Sequence, residues 1–136
     1  VSVLEAWGEQ HPDSIDLVRD ELDLNEVLWP IVASDQRISG VIVANDRGEE
    51  YFLHRDPRGG KREWSTRLTR KQDWGGEARF SYWDSYNRKQ RSERKQLDYD
   101  PRERPWYQAA IDNQDEEQIA WTDAYTFFTS RAPGIT

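Results

Sequence analysis

An α+β fold, with a β-hairpin covered by an early helix and a short helix later on, is what this chain predicts, and three stretches carry the prediction. HPDSIDLVRDELDLNEVLWP sets Ile15, Val18 and Leu22, then Leu24, Val27 and Leu28, at helical spacing. GVIVANDRGEEYFL is two apolar runs about a turn sequence, the mark of a β-hairpin. PWYQAAIDN opens on a proline suited to a first helical position.

The first helix is expected over residues 14–29, with Ser14 as N-cap and Pro30 as terminator or kink. In the hairpin, Val41, Ile42 and Val43 form one strand and Tyr51, Phe52 and Leu53 the other, with Gly48 suited to positive φ between them. One face of that hairpin needs cover, and the helix is the nearest candidate. Residues 56–62, DPRGGKR, read as a loop, EWSTRLT as a strand and DWGG as a turn. ARFSYWDS alternates Phe80 and Tyr82 against Arg79, Ser81 and Trp83, a strand with aromatics on both sides. Tyr86 to Leu97 is too polar for a clear period and reads as a surface helix or long loop. A short helix starts at Pro105, and DNQDEEQ follows as a solvated turn. IAWTDAYTFFTS reads as two strand segments around Asp123 and Ala124. PGIT reads as a turn leading into a further strand, which leaves the sheet one member short and an open edge.

A chain of 136 residues is the right size for one domain with a core. Only 35% of residues are apolar and 33% are charged, yet seventeen aromatics, seven of them tryptophan, point to a folded aromatic core rather than disorder. The net charge of −7 repels nucleic acid and anionic lipid. Charge is unevenly spread: residues 1–36 hold nine acids and one arginine, residues 55–71 seven bases and two acids, and residues 112–123 five acids and no base.

Without cysteine there is no disulfide, thiolate nucleophile or Cys metal site. His11 and His54 stand 43 residues apart outside any HExxH pattern, and the acids at 13–16 and 112–117 lack a calcium loop's glycine and terminal acid, so no metal site is expected. No serine lies in a GxSxG elbow, and neither glycine pair, 59–60 nor 75–76, belongs to a phosphate-binding loop. Neither a cofactor nor catalysis is expected. Basic and aromatic residues interleave in RKQDWGGEARFSYWDSYNRKQR, but the net charge and the need for core aromatics argue against nucleic acid.

YDPRERPWY, residues 99–107, is the chemically richest stretch. Pro101 and Pro105 restrict the backbone on either side of Arg102–Arg104, and Asp100 suits a turn. Arg104, just before a helix N-terminus, joins a forked guanidinium to free backbone N–H groups, which suits a carboxylate or phosphate. Trp106 and Tyr107 add an aromatic wall and a phenolic donor. The same residues also allow a purely structural reading, with Arg104 paired to Asp98, Asp100 or Asp123 and Trp106 in the core.

YDPRERPWYQAA, followed by WTDAYTFF and PGIT, resembles the membrane-distal module of the Cache (double Cache, PAS-like) sensor domains, extracytoplasmic parts of bacterial chemoreceptors, histidine kinases and cyclases. The hairpin fits that family's early strands. The resemblance runs from residue 14 to 136 and is sharp over 99–136. It implies a PAS-like antiparallel sheet with an N-terminal helix and short covering helices, incomplete at its C-terminus, residues 1–136 being a single module of a longer double domain with transmembrane helices outside this chain. It implies a periplasmic or extracellular location and signalling through ligand-biased movement of the N-terminal helix, with a homodimer through that helix.

In amino-acid-sensing members the counterparts of Tyr99, Arg104 and Trp106 surround the ligand carboxylate, Tyr107 matches the next aromatic and Tyr125 a later pocket tyrosine. The full candidate site is Tyr99, Arg104, Trp106, Tyr107, Asp123, Tyr125 and Phe127. Phe127 stands where such members have an aspartate for the ligand amine, so the ligand implied is a small organic carboxylate or other anion rather than an α-amino acid. The alternative is a scaffold or dimerisation element that binds nothing.

Overall fold

The computed structural model describes residues 16–55, 64–113 and 118–136. It divides into two compact units, residues 1–99 and 100–136. The architecture is the α+β, PAS-like one expected: a helix on a five-stranded antiparallel sheet in the first unit, together with short helices and turns.

In the first unit, helix α1 (Glu21–Ser34) precedes strands β1 (Gly40–Ala44), β2 (Glu49–Arg55) and β3 (Trp64–Arg70), one-turn helix α2 (Lys71–Trp74), and strands β4 (Glu77–Trp83) and β5 (Lys89–Gln96). The sheet order is β1-β2-β3-β4-β5, every neighbour antiparallel. Glu21, Leu24, Asn25, Leu28 and Val32 of α1 are buried, a stripe at helical spacing. It packs with Tyr51 and Leu53 of β2, Trp64 and Leu68 of β3 and Trp83 of β4. Successive strand residues face opposite ways, so these strand side chains define the helix face, and Glu50, Phe52, His54, Ser65 and Arg67 occupy the other. Trp29, Trp64 and Trp83 stack at 5.0 and 5.5 Å, a column running from helix to sheet.

The helix lies later than residues 14–29. Asp16 accepts from the backbone N–H groups of Val18 and Arg19, holding a turn over residues 17–20, and α1 begins at Glu21. Pro30 does not end it. The proline sits inside the helix on an exposed position, so only one intrahelical bond is lost and no packing is disturbed. Ser14 and the 56–62 loop lie outside the described residues, as does His11.

Tyr86–Leu97, expected as helix or loop, contains β5. Its period was hidden because the cross-strand partners are cations on rings. Arg91 lies 3.6 Å from the Tyr82 ring centroid, Lys95 5.2 Å from that of Phe80 and Lys89 4.9 Å from that of Trp83. Asn87, at φ 58°, turns the chain into this strand, and its side-chain carbonyl accepts from Asn25 of α1 at 2.9 Å.

In the second unit a 3-10 turn (Pro101–Glu103) leads into helix α3 (Pro105–Asp112), and β6 (Tyr125–Thr126) pairs with β7 (Pro133–Gly134). Of the two strand segments expected about Asp123 and Ala124 only the second forms, as the two-residue β6, and residues 119–124 are irregular. Thr122 donates its N–H to the carbonyl of Thr136 and its hydroxyl oxygen accepts from the Thr136 N–H, which holds these two residues together without a regular ladder. Pro133 and Gly134, read as turn residues, are the strand itself. Gly134 is required there, since a Cβ would collide with the Phe127 ring.

Candidate functional site

The second unit builds the surroundings of Arg104 from its sequence. Asp100 accepts from the Arg102 N–H at 3.0 Å and takes the Arg102 guanidinium at 2.9 and 2.7 Å, closing the turn that Pro101 opens. Asp100 is thereby committed to Arg102 rather than Arg104, and it raises the Arg102 pKa. Arg104 follows in extended conformation at φ −84°, ψ 147°, the N-cap of α3, whose first turn starts at Pro105. Its carbonyl accepts from the N–H groups of Tyr107 and Gln108.

The half-buried Arg104 guanidinium donates to the Thr126 carbonyl at 3.2 Å. Its carbon lies 5.7 Å from the Tyr125 ring and 5.8 Å from the Phe128 ring. Among the described residues of the second unit no carboxylate lies within ion-pair distance of it, so the pairings with Asp100 and Asp123 are not formed. Asp123 is exposed. Tyr125 meets Phe127 edge to face at 5.3 Å and shares a hydrogen bond with the Thr136 hydroxyl at 2.7 Å. Trp106 and Tyr107, both half-buried, meet edge to face at 5.8 Å, so Trp106 is not a core residue.

Tyr99 belongs to the first unit. It is buried, and its hydroxyl donates to Glu50. Arg67 donates from Nε to the same carboxylate at 2.9 Å, with its terminal nitrogen at 2.8 Å. The guanidinium lies 4.1 Å from the Tyr99 ring and 5.0 Å from that of Phe52. Glu50 and Arg67 are at 0% and 2% exposure, a fully desolvated ion pair on the sheet face away from α1. Beside it the His54 imidazole stacks on Phe52 at 4.8 Å and bonds the Ser65 hydroxyl at 2.9 Å.

Sequence reasoning missed Glu50 and Arg67. Alternation from Tyr51 and Leu53 carries Glu50 to the far face, but nothing local says that face is closed to water. Among the described residues no three His, Asp or Glu side chains gather as a metal site, and no helix is long and apolar enough to cross a membrane. No protein-family model, curated protein or solved structure matches this chain.

Proposed function

We propose that the chain is a small-molecule sensing module of an extracytoplasmic bacterial receptor, with Arg104 as the anchor for a small carboxylate. The observation that carries this reading is the Arg104 guanidinium itself, half-buried between two aromatic rings with a backbone carbonyl as its one acceptor among the described residues of its unit. A guanidinium has five N–H donors in a planar fork that matches a carboxylate, and such charge-assisted pairs are among the strongest a protein makes. The start of α3 adds the positive end of a helix beside it. Phe127 offers no acceptor for an ammonium group, which favours an acid without an α-amine. The module binds and does no chemistry on its ligand.

A thermal-shift screen of organic acids, amino acids and amines on the purified chain tests the reading, since a ligand of the folded state raises the melting temperature with occupancy. The expected hits are carboxylates. Arg104→Ala should weaken binding of the best hit about 10- to 100-fold by calorimetry, the worth of one charge-assisted pair, with the melting temperature of the unliganded chain nearly unchanged. Unchanged affinity would overturn the assignment. One observation favours the scaffold alternative: the Tyr99 hydroxyl is bonded to Glu50. A screen in which no compound stabilises the chain would decide for that alternative.

A further inference from the structure

The second unit has three arginines, Arg102, Arg104 and Arg131, and only Arg102 is paired with an acid, Asp100. Neither Arg104 nor Arg131 has a carboxylate within ion-pair distance among the described residues of that unit, although acids outnumber Lys and Arg by 26 to 19 over the whole chain. Both meet the same ring. The Phe128 centroid is 5.8 Å from the Arg104 guanidinium carbon and 5.0 Å from that of Arg131. The two cationic carbons are therefore no more than about 11 Å apart, a span that a ligand with two carboxylates closes when each makes its own charge-assisted pair.

The turn between β6 and β7 puts Arg131 in this place. Phe127 donates its N–H to the carbonyl of Ala132 at 2.9 Å, and Arg131 donates its own to the carbonyl of Phe127 at 3.0 Å. Closing that turn holds Arg131 at φ 58°, in the left-handed region that favours glycine. The turn's backbone thus gives no reason for an arginine. Its side chain supplies one, a second positive charge beside that of Arg104.

We infer that Arg131 is a second anion contact of the Arg104 site, and that the ligand is an organic dicarboxylate whose spacer lies against Phe128. The inference rests on the reading of Arg104 as a carboxylate anchor and narrows the class of ligand. Two like charges gathered at one ring repel each other. A monocarboxylate neutralises one of them, and a dicarboxylate neutralises both. An aromatic ring answers a cation with its quadrupole and supplies no lone pair, so the ring contacts leave N–H donors for carboxylate oxygens. The shared ring suits a hydrocarbon spacer better than a compact inorganic dianion.

Calorimetric titration of the purified full chain with succinate and glutarate tests this, with succinamate and glutaramate as isosteres that lack one charge. At least one diacid should bind about tenfold or more tighter than its monoamide, the scale of one charge-assisted contact. Arg131→Gly suits the turn and should leave the melting temperature of the unliganded chain unchanged or higher, while the preference for diacid over monoamide collapses. Should glycine loosen the turn, Arg131→Asn, also at ease at positive φ, replaces it. Arg131→Lys keeps the charge and should restore most of the preference. Equal binding of diacid and monoamide, or a full preference in Arg131→Gly, overturns the inference. If Arg104→Ala still weakens all four compounds in that case, the reading of Arg104 stands and only the second contact is lost. Binding that is indifferent to Arg104→Ala overturns both. Absence of binding by both diacids overturns the inference as well, and the wider screen of acids then decides for or against Arg104.

Discussion

Glu50 carries a carboxylate with no access to water, and its neighbours explain how it can. Arg67 supplies the opposite charge and Tyr99 the remaining donor, so desolvation of the acid is offset only while all three are present. Glu50→Ala strands the guanidinium of Arg67 and should cost about 3–5 kcal/mol in urea unfolding. A loss below about 1 kcal/mol would mean that the pair is solvated. Tyr51 makes a different prediction. It is buried, donates to Asn25 at 2.7 Å and has its pKa driven far above the ordinary 10.0, first by burial and then by the charge of Glu21. The folded chain keeps this proton when the unfolded chain has lost it. Its contribution to stability is therefore complete below about pH 10 and is lost above that, at about 1.4 kcal/mol per pH unit. In Tyr51→Phe the alkaline loss should be shallower by that slope, against about 1 kcal/mol lost at neutral pH for the missing hydrogen bond. Parallel alkaline profiles for the two proteins would refute the assignment.

At the scale of elements, α1 and β5 show two ways in which a local pattern misleads. A proline after Trp29 predicted a helix end, yet α1 runs four residues further because its buried stripe, completed by Val32, outweighs one missing bond. Removing the proline should therefore stabilise the chain. Pro30→Ala restores a backbone donor at an exposed site and should raise the unfolding free energy by about 1–3 kcal/mol in denaturant titration. Destabilisation would mean that the proline ring itself is needed for packing. In β5 the difficulty was chemical: a strand recognised by alternating apolar residues cannot be read when its partners on β4 are covered by Lys and Arg. The hairpin of β1 and β2 was legible because Val41 and Val43 bury toward α1 in the ordinary way.

For the whole molecule the two units differ in how much they bury. The first has a continuous core from α1 through β4, whereas in the second Pro101 is the only buried residue among those described. Amide exchange should follow that division. The amides of Trp64–Arg70, in the middle of the sheet, should be the slowest, and those of residues 104–113 and 122–136 should exchange at least about 100-fold faster in the unliganded chain. Equal protection would show that the second unit is as cooperatively folded as the first.

The sequence by itself determined the α+β class, the presence of the first helix though not its bounds, the hairpin, the strands at Trp64 and Ala78 and the short helix after Pro105. Each of these is dictated by spacing and turn chemistry within a dozen residues. It also singled out Arg104, because two prolines and a helix start constrain that stretch on their own. Only the tertiary structure decided that Asp100 goes to Arg102 rather than Arg104, that Glu50 and Arg67 share a dry face, and that Glu21 meets both Arg79 and Lys89. Those outcomes depend on which charges the sheet register brings within about 4 Å, where Coulomb energy and desolvation are both large, and that distance is not written in any local stretch of chain.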